Sequence, residues 1–326
     1  MLVAGGAVGV RIVQNRLTGN VEHIGDPFAA LPSRPAVPTP KATAEADSTP
    51  LNILVVGSDS RISAGDPSQW KAGAQRTDAL MLVHLPADHK GAYAMSIPRD
   101  SWVDIPGHGM NKVNADFSYG GPPLLIQTIE QLTKVRIDHF AVADFDSFQA
   151  ITDTLGGVEI TLKKDLHNGH GTLLLPAGKH LMSGKDALVY VRERKSLTRG
   201  DFDRVQRQQA WMRSIFARMR NEQTLQDPRK SVPFLDTVTK SIAADDGLTR
   251  EVMNDMILRA KNVGSTDLGF FTVPIAGTGT SPSGQSIANL NRPAFDELMA
   301  AVAADDVAGY LAAHPKDVDL LPPIAS

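Results

Sequence analysis

LNILVVG at residues 51–57 is the first of three short apolar runs, followed by ALMLVHLP at 79–86 and GAYAMSI at 91–97. Turn-forming residues bound each run, and short apolar runs with such boundaries are typical of buried strands. The sequence therefore predicts that three strands begin the folded part of this chain.

Helices and further strands follow these runs. Leu125, Ile129 and Leu132 are spaced so that they lie on one face of a predicted helix at 122–134. The other predicted elements are helices at 145–155, 183–188, 201–220, 248–261 and 293–304, and strands at 158–162, 188–194, 268–275 and 284–289. Strands that alternate with helices indicate an α/β sandwich with a mostly central sheet.

Composition and charge narrow the classes of function. The chain of 326 residues has no cysteine, which excludes a disulfide framework and a thiolate metal site. Its net charge is −3, yet residues 192–220 contain nine Lys/Arg and three Asp/Glu. A nucleic-acid reader would be basic overall, whereas one basic patch in an acidic chain indicates a local anion site.

The N-terminus differs from the rest of the chain. Residues 1–13 are apolar except for Arg11, but they fall short of the roughly 20 residues that span a bilayer. We interpret residues 1–25 as the outer end of a membrane anchor with a juxtamembrane segment; an ordinary flexible or helical N-terminus is the alternative. The six prolines of residues 26–50 predict a linker, and residues 51–326 form the predicted catalytic domain.

Two Asp–Arg clusters flank the first predicted strands. Asp59 and Arg61 follow strand 51–57 in GSDSR, and Arg76 and Asp78 precede the next strand in RTD. Two carboxylates at strand ends can share one Mg²⁺, and adjacent arginines fit if that cation also binds a diphosphate. Two local Asp–Arg surface pairs are the alternative.

Further polar clusters lie downstream. SIPRD places Arg99 and Asp100 at the end of an apolar strand, and KVNADFSYGG contains Lys112 and Asn114. If 188–194 is a strand, Tyr190, Arg192 and Arg194 share one of its faces, and the two arginines favour an anion between them.

GDFDRVQRQQ opens the long helix at 201–220. Asp201, Arg204 and Gln208 follow i, i+3, i+7 spacing and so form one stripe, and a helix N-terminus adds partial positive charge for a phosphate. Solvated arginines on a basic amphipathic helix are the alternative. His167 and His170 in HNGH have no carboxylate at metal-ligand spacing, and we predict a loop there.

In order along the chain, these strings resemble the motifs of the LytR-CpsA-Psr family: LNILVVGSDSR, RTDALMLV, SIPRDSWVDIPG, KVNADFSYGG, DTLGGVEI, LMSGKDALVYVRER and GDFDRVQRQQ. The resemblance covers about residues 51–220 and extends weakly to NRLTGNVEHI. It implies a three-layer α/β/α sandwich with a central mixed sheet, a hydrophobic tunnel for a polyprenyl chain and a polar mouth for its diphosphate.

The resemblance also assigns roles to residues. Asp59 and Asp78 would hold Mg²⁺, with Mn²⁺ as a substitute, and the residues implied in catalysis are Asp59, Asp78, Arg99 and Asp201. The residues implied in diphosphate binding are Arg61, Arg76, Arg99, Arg192, Arg194, Arg204 and Gln208. Lys112 and Asn114 are candidates for substrate binding. The stretch between Asp59 and Asp78 is longer than in compact members of the family.

The activity that the resemblance implies is phosphoryl transfer outside the cytoplasm. A membrane-anchored enzyme would move a glycopolymer from a polyprenyl-diphosphate carrier to peptidoglycan and release polyprenyl phosphate, with Asp201 or Asp100 as base and no nucleic acid as partner. Two alternatives from other classes are a non-catalytic polyprenyl-diphosphate-binding protein and a cell-envelope regulator. Hydrolysis of the diphosphate by water is a narrower enzymatic alternative.

Overall fold

The computed structural model describes residues 19–38, 48–58, 77–143, 145–168, 170–193, 197–264 and 267–322. Four predicted site residues, Asp59, Arg61, Arg76 and Arg194, lie outside these ranges. Most of the predicted anchor, residues 1–18, does so too. Within the described ranges, no helix has the length and apolarity needed to cross a bilayer.

Sixteen strands occur in the described ranges: β1 Glu22–His23, β2 Leu51–Ser58, β3 Thr77–Leu85, β4 Ala92–Ser96, β5 Trp102–Ile105, β6 Gly109–Lys112, β7 His139–Ala143, β8 Val158–Leu162, β9 Leu166–His167, β10 Leu173–Leu175, β11 Gly178–Met182, β12 Ile242–Ala244, β13 Leu268–Thr272, β14 Ile275–Thr280, β15 Ser286–Leu290 and β16 Asp319–Leu320. Eight of them form one mixed sheet in the order β1-β12-β7-β2-β3-β4-β13-β16. The strands β2 and β7 are parallel, as are β4 and β13, while β3 runs antiparallel to both of its neighbours.

Eight α-helices occur in the same ranges: α1 Asp116–Thr133, α2 Phe145–Thr154, α3 Gly184–Arg192, α4 Asp201–Asn221, α5 Pro228–Lys240, α6 Arg250–Asn262, α7 Arg292–Ala303 and α8 Val307–Ala313. A kink at Gly120–Gly121 interrupts α1, where Gly121 has a φ of 59° that favours glycine. The predicted helix at 122–134 is the part of α1 that follows this kink.

The central sheet separates two layers of helices because its side chains alternate between its faces. The main core joins α1 and α7 to one face, through Leu54, Val56, Leu80, Leu82, Met95, Phe140, Val142 and Phe271. Helix α4 lies over the other face, where Nε2 of Gln209 donates to Oγ of Ser96 at 2.8 Å. Three layers around a mixed sheet confirm the predicted α/β/α sandwich.

The second face of the sheet is apolar but incompletely covered. Register pairs Val55 with Met81 and Ala94 with Phe270, and therefore places these four side chains on that face. Met81 and Ala94 are buried, whereas Val55 and Phe270 are only half-buried. The helix layer on this side thus leaves apolar sheet surface partly accessible.

One predicted element is wrong. Residues 188–194 were predicted as a strand, but residues 184–192 form helix α3. Oγ of Ser183 caps this helix by accepting from the backbone N–H of Asp186, and the buried residues Ala187, Tyr190 and Val191 have helical spacing. Side chains two positions apart in a helix point about 200° apart around its axis. Tyr190 is therefore buried while Arg192 is exposed, and the two do not share a face.

The segment before β2 contacts the folded domain. Strand β1 pairs in parallel with β12, and Phe28 and Leu31 pack against the main core. Nη2 of Arg34 is 2.8 Å from Oε1 of Glu130, and it also donates to the backbone carbonyl of Ile137. The described part of the predicted linker, residues 26–38 and 48–50, is therefore attached to the domain along part of its length.

Candidate active site at the carboxyl ends of the central strands

The predicted polar motifs converge at one edge of the sheet. The carboxyl ends of β2, β4, β7 and β13 meet there, and so does the beginning of the antiparallel strand β3. Asp78 is the second residue of β3, and Arg99 follows the end of β4 by three residues. Ligand sites of open α/β sheets lie outside the carboxyl ends of such strands.

Arg99 is the centre of an ion-pair cluster. Its Nη1 lies 2.5 Å from Oδ1 of Asp78, and its Nε lies 3.5 Å from Oδ1 of Asp201 and 3.9 Å from Oδ2 of Asp100. The Arg99 side chain is only 15% exposed. One guanidinium thus joins residues from β3, from the turn after β4 and from the first turn of α4.

Arg204 approaches the same carboxylates from α4. Its Nη2 lies 2.6 Å from Oδ1 of Asp201 and donates to the backbone carbonyl of Asp78 at 3.1 Å, and its Nη1 lies 3.5 Å from Oδ1 of Asp78. The Arg204 side chain is 2% exposed, so it is not the solvated arginine of the alternative interpretation. Its two carboxylate partners offset the cost of burying the charge.

Lys112 and Asn114 lie beside this cluster. Nζ of Lys112 is 3.0 Å from Oδ1 of Asp100, and the backbone N–H of Asn114 donates to the carbonyl of Arg99 at 3.1 Å. A cavity of about 260 Å³ opens here, lined by Arg99, Asp100, Asn111, Lys112, Asn114, Ala115, Ser118, Tyr119 and Gln285. The structure therefore brings both candidate substrate-binding residues to the cavity that Arg99 lines.

Two other predicted residues, Gln208 and Arg192, belong to helices α4 and α3. Gln208 is half-buried, four residues beyond Arg204 on α4. Arg192 is exposed at the C-terminal end of α3. An anion between Arg192 and Arg194 was predicted from a strand at 188–194, but Arg192 belongs to helix α3. Arg194 lies outside the described residues.

Five residues lining the cavity were not predicted: Asn111, Ala115, Ser118, Tyr119 and Gln285. Tyr119 belongs to the quoted KVNADFSYGG motif, and its hydroxyl accepts from Nδ2 of Asn111 at 3.0 Å. Gln285 lies in the C-terminal third of the chain, where no motif pointed to a site.

The cluster could hold one divalent cation through Asp78. The described cluster contains the carboxylates of Asp78, Asp100 and Asp201 and the cations of Arg99, Lys112 and Arg204, so its formal charges cancel. No set of three His, Cys, Asp or Glu side chains in the described ranges is arranged to bind a metal. Since Mg²⁺ takes one or two carboxylates together with phosphate oxygens and water, one protein ligand at Asp78 is compatible with it.

Comparison with known proteins identifies the family of this chain. The model of the LytR_cpsA_psr family matches residues 31–303. The cell wall biosynthesis protein LcpA of Corynebacterium glutamicum is 30% identical over 277 residues, covering 74% of this chain and 53% of LcpA. The regulatory protein MsrR of Staphylococcus aureus is 33% identical over 227 residues, covering 69% of this chain and 64% of MsrR. The chain thus spans about half to two thirds of the length of these relatives.

Solved structures share the fold. TagT bound to LI-WTA superposes with a TM-score of 0.65 at 23% identity, covering 85% of this chain and 98% of TagT. The LytR-CPS2A-psr family protein YwtF (TagT) with bound octaprenyl pyrophosphate lipid superposes with a TM-score of 0.61 at 22% identity over the same shares. The match of the family model across most of the chain, together with the relatives above, shows that this protein belongs to the LytR-CpsA-Psr family.

Proposed function

We propose that this protein is a Mg²⁺-dependent phosphotransferase that moves a glycopolymer from a polyprenyl-diphosphate carrier to peptidoglycan. The observation that carries the proposal is the sharing of the Asp78 carboxylate by Arg99 and Arg204. Guanidinium groups bind phosphate oxygens bidentately, and a carboxylate at the same point suits a cation bridged to those oxygens.

Apolar surface on the sheet supports the proposal that the carrier is a lipid. Val55 and Phe270 leave apolar surface partly accessible on the face that α4 covers, and α4 also carries Arg204. A ligand with an apolar chain and an anionic head would therefore find both environments beside one helix. The fold shared with a structure that contains octaprenyl pyrophosphate supports this class of ligand.

In the proposed reaction, a hydroxyl oxygen of peptidoglycan attacks the phosphorus linked to the glycopolymer. The bond from that phosphorus to the bridging oxygen breaks, polyprenyl phosphate leaves with the electron pair, and a phosphodiester joins the polymer to peptidoglycan. Arg99 and Arg204 would stabilise the charge that builds up on the phosphoryl oxygens. Asp78 would hold the Mg²⁺, which neutralises diphosphate charge when bound.

The hydroxyl proton needs an acceptor at the same edge of the sheet. Asp201 lies between Arg99 and Arg204, and Asp100 lies beside Lys112 at the cavity. Either carboxylate would accept the proton, and Asn in place of the true base would lower the rate of transfer more than the affinity for the donor.

The test is transfer from a donor to an acceptor by the full chain. We would incubate it with Mg²⁺, a radiolabelled glycan on a short-chain polyprenyl diphosphate and peptidoglycan fragments, and follow label in the peptidoglycan. Label should enter the peptidoglycan with wild-type protein and not with Asp78→Asn or Arg99→Gln. Arg229→Gln, which replaces an arginine with a 91% exposed side chain, should transfer normally.

Binding of the donor without transfer, in the presence of acceptor, would contradict the enzyme and favour a lipid-binding protein. Release of labelled glycan phosphate into water instead of peptidoglycan would favour hydrolysis. Normal transfer by folded Asp78→Asn and Arg99→Gln would mean that the strand-end cluster is not the active site.

A further inference from the structure

A buried hydrogen bond joins helix α4 to the central sheet, apart from the strand-end cluster around Arg99. Nε2 of Gln209 donates to Oγ of Ser96 at 2.8 Å. The two residues are 0% and 3% exposed, respectively. Neither of them belongs to the cluster, so the proposed reaction does not by itself account for this polar pair.

Ser96 lies where the sheet changes from polar to apolar. It follows Ala94 by two residues in β4, so both side chains lie on the face that α4 covers. Register pairs Ser96 with Met81 and Thr272, and Ala94 with Phe270. In β4 and β13, this face is therefore apolar from Ala94 and Phe270 onward, away from the cluster.

The helix side of the contact is apolar apart from Gln209. The spacing i, i+4, i+7 places Val205, Gln209 and Met212 on one side of α4. Val205 is buried, Met212 is half-buried, and Oε1 of Gln209 has no hydrogen-bond partner among the described residues. An unpaired buried polar atom lowers stability. Stability alone therefore does not explain a glutamine at this position.

Apolar packing leaves the position of α4 incompletely determined. Val55 and Phe270 are only half-buried on the face that α4 covers, so this interface is not filled by the described side chains. Apolar contacts are non-directional, whereas a hydrogen bond has a narrow range of lengths and angles. The bond between Gln209 and Ser96 can therefore fix the helix where packing does not.

Arg204 provides a second polar contact with the central strands, at the carbonyl of Asp78. Five residues separate Arg204 from Gln209, which corresponds to about 7.5 Å along a helix and about 140° around it. Two contacts at different heights and on different sides oppose both sliding and rotation of the helix. Gln206 also reaches the sheet, but its partner Asp319 belongs to the edge strand β16 and is 38% exposed.

The position of α4 matters because the cluster is divided between the helix and the sheet. Asp201 and Arg204 belong to α4, while Arg99 follows Ser96 by three residues in the turn after β4. The hydrogen bond from Gln209 thus joins the helix to the strand that leads to Arg99. A displacement of about 1 Å in an active site can lower the rate about 100-fold.

We propose that Gln209 is a positioning residue, which holds α4 at one place on the sheet through Ser96 and so sets the position of Arg204 relative to Arg99. The inference rests on the proposed function of the strand-end cluster, because these two arginines are the groups whose relative position it sets. Gln209 acts through Arg204 and does not itself contact the reacting phosphorus.

A double variant separates positioning from stability. Gln209→Leu/Ser96→Ala removes both polar partners, so no buried group loses its partner and the unfolding free energy should stay close to that of wild type. In the glycan-transfer assay with the full chain, its kcat should be at least about tenfold lower, or about 1.4 kcal/mol in activation free energy. Wild-type kcat in this variant would overturn the proposal.

Thr152→Val is the matched control, because it removes a hydrogen bond from the opposite side of the same helix. Nε1 of Trp211 donates to Oγ1 of Thr152 at 2.8 Å, and the Trp211 ring also stacks on Phe148. This variant should transfer glycan at the wild-type rate. If it lost as much activity as the double variant, any buried hydrogen bond of α4 would have the same effect, and a specific role for Gln209 would be wrong.

A distance measurement tests the position of α4 without turnover. The chain has no cysteine, so Ala217→Cys on α4 and Asp104→Cys in β5, both exposed, provide one pair of spin-label sites. Double electron–electron resonance should show a distribution of distances that shifts or broadens when Gln209→Leu/Ser96→Ala is added. Identical distributions would overturn the proposal. A changed distribution in a protein whose wild type transfers no glycan would support positioning by Gln209 and contradict only the proposed function.

Discussion

Arg204 and Asp201 lie one turn apart at the start of α4, with 2.6 Å between Nη2 of Arg204 and Oδ1 of Asp201. The same guanidinium reaches Asp78, which is 126 residues away in sequence. Arg204 therefore links helix α4 to the end of β3, and the site depends on the docking of that helix against the sheet.

Replacing Arg204 should destabilise the protein. Arg204→Gln leaves Asp78 and Asp201 partly buried with one partner fewer, and breaking a buried ion pair typically costs about 3–5 kcal/mol. Urea unfolding measures this loss of unfolding free energy.

The control for Arg204→Gln is Arg229→Gln, whose unfolding free energy should equal that of wild type. If the Asp201 contact contributes to the loss, adding Asp201→Asn to Arg204→Gln should recover part of it. An unfolding free energy of Arg204→Gln equal to that of wild type would contradict the inference that its buried ion pairs stabilise the fold.

Removing divalent cations should weaken binding of the proposed donor. Asp78 is the described carboxylate proposed to hold Mg²⁺, so EDTA should lower the affinity of wild-type protein for a short-chain polyprenyl diphosphate by at least about tenfold, or 1.4 kcal/mol. Asp78→Asn should bind weakly with or without Mg²⁺. The exposed Asp88→Asn serves as control and should show the full effect of EDTA. Equal responses of Asp78→Asn and Asp88→Asn would rule out a metal at Asp78.

Residues between β1 and β2 should contribute to the stability of the domain. Glu130 is 2% exposed, and it accepts from Arg34 and from the backbone N–H of Ile137 at 2.9 Å. Arg34→Met would leave this buried carboxylate without its arginine partner, which should lower the unfolding free energy by about 3–5 kcal/mol. Thermal or urea unfolding measures this loss. Arg34→Met/Glu130→Gln should recover part of the loss. An unchanged unfolding free energy for Arg34→Met would show that the contact of residues 26–38 with the domain does not stabilise it.

Asp116 should make stability fall as pH rises. Burial raises the pKa of its carboxyl well above 3.8, only partly opposed by Phe117 and Thr128. The folded state thus holds a proton that the unfolded state releases, and this contribution is complete below pH 3.8 and is lost as pH rises through the folded pKa.

The comparison that measures this effect is Asp116→Asn against wild type. Between pH 3.8 and the raised pKa, the unfolding free energy of the variant should gain on that of wild type by up to about 1.4 kcal/mol per pH unit. Asp104→Asn, which changes an exposed carboxylate on β5, should follow wild type throughout. Parallel pH profiles for Asp116→Asn and wild type would mean that Asp116 ionises alike in both states.

The strands at the sheet centre were predictable because their signal is local. Apolar runs at 51–57, 79–86 and 91–97 match β2, β3 and β4 within two residues at either end. The long helix at 201–220 matches α4, since its motif and apolar spacing lie within the helix itself. Helix α5 was missed, although Asp227 caps it through the backbone N–H of Arg229 and Pro228 begins it.

The segment 184–192 shows why local reading fails. Its β-branched and aromatic residues Val189, Tyr190 and Val191 favour a strand, but the Ser183 cap and burial of Tyr190 and Val191 against the β8–β11 layer make it helical. Tertiary packing decided between the helical and the strand periodicity, which so short a segment cannot distinguish.

By itself, the sequence determined the order of apolar strands and the polar motifs that follow them, because spacing along one element needs no partner. Only the tertiary structure decided that Arg204 forms an ion pair with Asp78, Lys112 with Asp100, and Arg34 with Glu130. These pairs are separated in sequence, so only the closure of the chain around one sheet brings their charges within reach.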